Sequence, residues 1–197
     1  MNNRPSADAI KSGRLKLLLL AAFFAAPFLL AWLAYRFDWG TGAAGNYGEL
    51  LKPPVAMPDS AFTALDGAPF SLARVRGKWV LVQFDASRCD AYCEQKLYFM
   101  RQVRRALGKD MERVERVWVL TDGGTPDAKL LAAVEGTYVV RPHGGNFSAA
   151  FPAAVSPADH IYLVDPMGNV IMRFPRDPNP SKMLKDLQRL LKYSQIG

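Results

Sequence analysis

Trp79-Val80-Leu81-Val82-Gln83-Phe84-Asp85-Ala86-Ser87-Arg88-Cys89-Asp90-Ala91-Tyr92-Cys93 is the stretch on which the reading of this chain turns. Its first six residues are a short apolar run of the kind that makes a buried strand. Asp85 to Arg88 form a turn that holds Cys89, and a helix begins after it. Leu97, Met100, Val103, Arg104 and Leu107 follow three- and four-residue steps along that helix, and Gly108 is placed to end it.

The flanking sequence continues the alternation. Val114, Val117, Val119 and Leu120 predict the next buried strand, closed by Asp122-Gly123-Gly124. Pro126 to Val134 fits a short helix with Pro126 in its first turn. Residues 136–158, with three prolines and an Ala-rich centre, show no clear period. Ile161-Tyr162-Leu163-Val164 and Val170-Ile171-Met172-Arg173-Phe174, joined by Asp165-Pro166-Met167-Gly168-Asn169, predict a hairpin. Pro180 opens a last helix with Met183, Leu184, Leu187, Leu190 and Leu191 on one face and Lys182, Lys185, Arg189 and Lys192 on the other. Upstream, Phe62–Leu65 and Phe70–Leu72 flank the turn signal Asp66-Gly67. Strands alternating with crossover helices imply an α/β fold, a mixed sheet flanked by helices. A cysteine pair at the first strand-to-helix turn is where thioredoxin-like folds hold their chemistry.

Outward from this domain lies an apolar N-terminal segment. Leu17–Tyr35 is a run of 19 residues without a charge, bounded by Lys16 and Arg36. Its length approaches what a hydrocarbon core of roughly 30 Å requires, and it exceeds the apolar region of about 7–15 residues in a signal peptide. The run is therefore read as an uncleaved anchor in preference to a cleaved leader, with Trp32, Tyr35 and Trp39 clustered at its far end like an interfacial belt. The expected organisation is a basic cytoplasmic N-terminus at 1–16, a transmembrane anchor at 17–36, a Gly-, Ala- and Pro-rich linker at 37–58 and a periplasmic domain at 59–197. Basic residues before the span place the N-terminus in the cytoplasm, here of a bacterium, with the domain outside the inner membrane.

Composition bounds the function. Of the net charge of +7, the first 16 residues carry +3, from Arg4, Lys11, Arg14 and Lys16 against Asp8. The rest is interspersed with acids, which gives no support to a nucleic-acid partner. Two cysteines in 197 residues do not make a disulfide scaffold, and no Cys/His tetrad with structural-zinc spacing occurs. No phosphate loop, nucleophile elbow or His-Glu-x-x-His helix is found.

Cys89 and Cys93 carry most of the functional signal. Four residues apart at a helix start, their β-carbons lie about 5–6 Å apart on one face. Such a pair chelates a soft metal, or oxidises if Cys89 lies just outside the helix. Two small core residues, or a plain structural disulfide, are the alternative. The helix N-terminus favours thiolate, whereas Asp85, Asp90 and Glu94 oppose it and Arg88 offsets them in part.

The motifs resemble those of the SCO/SenC family, membrane-anchored thioredoxin-fold proteins of cytochrome c oxidase assembly. The resemblance covers about residues 60–195 together with the anchor. It rests on Cys89-Asp90-Ala91-Tyr92-Cys93 and on Asp159-His160 followed by Tyr162-Leu163 and Pro166-Met167-Gly168. Asp90 and Glu94 stand where the family usually has prolines. The resemblance implies a copper ion held by Cys89, Cys93 and His160, and an oxidase subunit or its assembly factors as partner. Two thiolates and an imidazole suit copper. His143 is the reserve third ligand, while Met100 and Met167 read as core and turn residues. Three functions remain open: copper delivery, a thiol–disulfide reductase acting through Cys89 and Cys93, and a metal-free docking partner of the oxidase.

Overall fold

The computed structural model describes residues 7–37, 45–58, 60–144, 147–194 and 196, with side chains from Gly13 onward. Two compact units are present, one ending at Gly45 and one spanning Asn46–Gly197.

The first unit is helix α1, Ala7–Arg36, with Pro27 inside it. Gly13–Arg36 is long and apolar enough to cross a membrane. Its large side chains, among them Leu17, Phe23, Phe28 and Trp32, are exposed, as a lipid-facing helix requires. Trp39, the last member of the expected aromatic belt, lies outside the described residues.

The second unit is a mixed eight-stranded sheet flanked by helices. Its strands are β1 (Glu49–Ala56), β2 (Ala61–Ala64), β3 (Pro69–Ser71), β4 (Trp79–Asp85), β5 (Val114–Leu120), β6 (Tyr138–Pro142), β7 (Ile161–Val164) and β8 (Asn169–Arg173). They lie in the order β1-β8-β7-β4-β5-β6-β2-β3. β4 pairs in parallel with β5, and β5 with β6. The crossovers are α2 (Ala91–Ala106) and α3 (Ala128–Ala133), and α4 (Pro180–Tyr193) follows β8. β7 runs antiparallel to β4, with Gln83 opposite Ile161. The entry of β7 therefore lies beside the exit of β4, and that adjacency places the site.

β4 and β5 are buried along nearly their whole length because helices and loops cover both faces. One face packs the aromatic cluster of Phe62, Phe70, Phe84, Phe147, Phe151 and Tyr162. On the other, α2 and α4 bury Met100, Val103, Leu107, Met183, Leu187 and Leu191 against Leu81, Val114, Leu163 and Phe174. The buried face of α4 is the apolar one expected from the sequence, and Lys182, Lys185, Arg189 and Lys192 are exposed.

Two expectations change. The stretch 37–58, expected as a linker, contains β1, so the compact unit begins at Asn46 rather than at residue 59. Asp186, itself buried, fixes the entry to this strand by accepting hydrogen bonds from the backbone N–H groups of Tyr47 and Gly48, each at 2.8 Å. Gly48 packs so tightly that a β-carbon would meet Met172 Sδ at 2.4 Å. The unreadable segment 136–158 holds β6, which joins the parallel trio to the β2–β3 hairpin. A smaller change falls at α3, where Asp127 is the N-cap and Pro126 precedes the helix.

Candidate functional site: a disulfide at the exit of the central strand

Cys89 and Cys93 are joined by a disulfide, with their α-carbons 5.1 Å apart. Local sequence explains the pairing. Asp90 is the N-cap of α2 and accepts from the Cys93 N–H at 2.9 Å, so the helix starts one residue after Cys89. Cys89 is thereby left outside the helix and reaches back to Cys93. It adopts φ +29°, the only positive value at a non-glycine among the described residues. Backbone held in this sparsely populated region clusters at functional sites.

The loop before Cys89 is pinned from the next strand. Asp122, just past β5, accepts from the Ser87 N–H and the Ser87 hydroxyl, both at 2.9 Å. These hydrogen bonds hold its carboxyl below the usual carboxylate range. Gly124 closes on the same serine, since a β-carbon there would lie 2.0 Å from Ser87 Oγ.

The two sulfurs differ in surroundings. Cys93 is 1% exposed and lies over Gln83, whose side-chain amide donates to its Sγ at 3.7 Å. Cys89 is 7% exposed and opens on a groove of about 590 Å³ that Arg88, Glu94 and Lys129 also line. A reactant approaching from solvent therefore meets Cys89 first.

A buried ion pair ties the disulfide helix to the segment entering β7. Lys96 is fully buried, and its ammonium lies 2.7 Å from the Asp85 carboxylate at the exit of β4. The same ammonium donates to the carbonyl of Ala158 and lies over the Tyr92 ring at 4.9 Å. Burial raises the Asp85 carboxyl to about 6, opposed by the charge of Lys96. Burial likewise lowers the Lys96 ammonium, opposed by Asp85. Tyr92 adds a second tie, its hydroxyl donating to the Asp159 carbonyl at 2.8 Å, and burial pushes its pKa up to about 12.

His160 follows the 3-10 turn Pro157–Asp159 and directly precedes β7. Its Nδ1 lies 2.8 Å from the Phe174 carbonyl oxygen. A carbonyl only accepts, so Nδ1 carries a proton, and in the neutral ring Nε2 is the nitrogen with the lone pair. A carbonyl accepting from the other ring nitrogen is how a metal-binding imidazole is commonly oriented. Asp159 does not hold the ring; its carboxylate lies 3.6 Å from Arg176. His143 is placed elsewhere, after β6 and two strands from β4, with its ring on Thr63. Met100 is buried in the core and Met167 is exposed in the β7–β8 turn, as the sequence predicts. In the disulfide form neither sulfur is a thiolate donor, and no group of three His, Cys, Asp or Glu side chains converges as a metal site among the described residues.

Sequence reasoning missed Lys96 and Gln83. A signal for Lys96 exists: it lies three residues after Cys93 and four before Met100, on the inward face of α2.

Fold and site together define a thioredoxin-fold protein with a single dithiol at the turn from central strand to helix. The chain belongs to the family described as transmembrane-like, thioredoxin-like, C-terminal domain, whose model matches residues 79–194. Its likeness to SCO proteins extends over sequence and fold. It is 29% identical over 164 residues to the mouse protein described as "Protein SCO2 homolog, mitochondrial", an alignment covering 75% of this chain and 64% of the mouse protein. The structure of yeast Sco1 with copper bound matches with TM-score 0.58 at 16% identity, covering 72% of this chain and 95% of that one. BsSco, described as having a disulfide switch and as a member of the Sco family of cytochrome c oxidase assembly proteins, matches with TM-score 0.56 at 18% identity, covering 72% and 96%. At these identities the solved structures establish the shared fold.

Proposed function

We propose that the chain is a membrane-anchored copper-binding factor that assists assembly of the copper centre of a cytochrome c oxidase. The observation that carries this reading is the set of donors at one end of the central strand. Cys89 and Cys93 lie at the exit of β4, and His160, with Nδ1 bonded to Phe174, lies at the entry of the adjoining β7. Copper is the cargo. Reduction of the disulfide by an external dithiol, with two electrons and two protons, gives two thiols; these lose their protons as they bind the metal. His160 Nε2 supplies the third donor. The relatives support the reading, since yeast Sco1 is described with copper bound and BsSco as a member of an oxidase-assembly family.

The helix at Gly13–Arg36 anchors the chain in a bacterial inner membrane, and the basic residues before it keep the N-terminus cytoplasmic. Residues 46–197 then face the periplasm, where an oxidase subunit or its assembly factors are the partners.

The disulfide itself favours a second reading, a thiol–disulfide reductase that keeps client cysteines reduced. Here Cys89, which lines the groove, exchanges with the client, and Cys93 beneath it resolves the mixed disulfide. His160→Ala separates the two. Copper delivery requires Cu(I) affinity to fall at least about tenfold, the lower end of what losing even a ligand's support costs. Exchange with a peptide disulfide should continue at the parental rate. Unchanged copper affinity in this variant removes His160 from the site.

A further inference from the structure

The second half of α2 covers a buried guanidinium to which the dithiol chemistry assigns no role. Arg116 lies in β5 between Val114 and Trp118 and is 3% exposed. Its Nη2 donates to the Glu135 carbonyl at 2.7 Å. Its Nε and Nη1 are also buried and have no hydrogen-bond partner. A guanidinium has five N–H donors and no acceptor, and it keeps its charge in proteins. Unpaired burial of such a group is costly and calls for an explanation.

The charged groups around it are cations. Arg104 donates from Nε to the Val114 carbonyl at 2.6 Å, which fixes where α2 crosses β5. Arg101, one turn back from Arg104 on α2, is near enough for its charge to act on Arg116. The Arg101 side chain makes no hydrogen bond or ion pair among the described residues. Burial, together with the charges of Arg104 and Arg101, lowers the Arg116 pKa to about 10, and Arg105 adds to the repulsion. Two acids are near. Glu115 projects to the opposite face of the strand and is bound to Lys78 at 2.6 Å. Glu112, largely exposed, lies 3.6 Å from Arg104. Neither supplies a counter-charge to Nε and Nη1 of Arg116.

We propose that Arg116, with Arg101 and Arg104, binds a small oxyanion, a phosphate or a carboxylate, at the seam between the second half of α2 and the end of α3. Guanidinium forks match the oxygens of both groups in bidentate geometry. Entry is from the α2 side, where Arg101 is half-buried and Arg105 exposed. Gly136 keeps the floor close, since a β-carbon there would lie 3.2 Å from Arg116 Nη2. The site is eight residues along α2 from Cys93 and is independent of copper.

Calorimetric titration of the full chain in non-ionic detergent, with inorganic phosphate and separately with succinate at constant ionic strength, tests this. The expected result is one-to-one binding of at least one probe, weakened at least tenfold in Arg101→Gln and absent in Arg116→Met. Arg101→Gln alters a half-exposed position and carries the test if Arg116→Met fails to fold. Binding of phosphate alone supports a phosphoryl ligand, and binding of succinate alone supports a carboxylate such as a partner's side chain. Equal binding of both supports an oxyanion site without preference. Heats no different from a sodium chloride control, or an affinity unchanged in Arg101→Gln, overturn the proposal.

Discussion

Two buried cations lie along the same helix, one on it and one beneath it, and they are treated in opposite ways. Lys96, in the first half of α2, is fully enclosed and engaged: Asp85 neutralises it, and its ammonium donates a further hydrogen bond to the Ala158 carbonyl. Arg116, under the second half, is equally enclosed, yet two of its nitrogens bond to nothing. A buried charge persists when its partners are built in, as for Lys96, or when a partner comes from outside, as inferred for Arg116. The paired cation holds the dithiol helix against the segment carrying His160, so it belongs to the architecture of the site. The unpaired one marks a place where the chain is incomplete without a ligand.

The contrast can be broken most forcefully at Lys96. Lys96→Met leaves the Asp85 carboxylate buried and alone, and truncating one member of a buried pair costs about 3–5 kcal/mol. Urea unfolding at neutral pH should show a loss of that size, and a loss below about 1 kcal/mol would mean that the pair is not what secures this end of the helix.

The next effect is one of pH. The Asp85 carboxyl has its folded pKa raised from 3.8 to about 6. The folded state therefore binds the proton more tightly than the unfolded chain between those values. This group's contribution to stability is largest below pH 4, falls as pH rises through 6, and is flat beyond. Asp85→Asn should abolish that part of the slope, read as the difference between variant and parent in urea melts at pH 4.5 and 6.5. Parallel curves would show that Asp85 titrates normally.

A smaller effect of opposite sign to the Lys96 change is expected at Arg116. Replacing an unsatisfied buried charge with an apolar side chain of similar length is often neutral or stabilising. In chloride buffer without phosphate or carboxylates, Arg116→Met should match the parent or gain about 1 kcal/mol. A loss of 3 kcal/mol or more would make Arg116 a second Lys96 and erase the comparison.

The smallest effect belongs to Gln83, whose amide supports Cys93 Sγ. Gln83→Leu removes a donor that favours the Cys93 thiolate. The reduced form loses support, and the reduction potential should fall by up to about 30 mV, a tenfold change in the exchange constant. Redox titration against glutathione would show it, and a potential that rises would reverse the assigned role.

Legibility in the sequence followed local physics. The β4–α2–β5 unit and the β7–β8 hairpin are readable because apolar runs, helical steps and the Asp-Pro-Met-Gly-Asn turn all agree. β1 is not readable, because Lys52-Pro53-Pro54 speaks against a strand. It forms nonetheless at the sheet edge: Glu49 and Leu50 pair with Arg173 and Met172, Val55 and Ala56 pair with Val170 and Asn169, and the prolines fall in the shift between them. β6 is hidden by its five-residue length and by Pro142 at its end. In the site, the cysteines stand out by spacing and His160 through the family resemblance, and the structure brings their elements to one end of the sheet. Lys96 and Arg116 stay hidden because a charged residue inside a helix or an apolar run reads as solvated until its burial is known.

The most direct test of the copper reading is a Cu(I) titration of the reduced full chain, with Cys89→Ser and His160→Ala alongside. The expected result is one copper per chain for the parent, no stoichiometric binding for Cys89→Ser, and an affinity at least about tenfold weaker for His160→Ala. A reduced parent protein that binds no copper would contradict it and leave the dithiol as a thiol–disulfide exchange site.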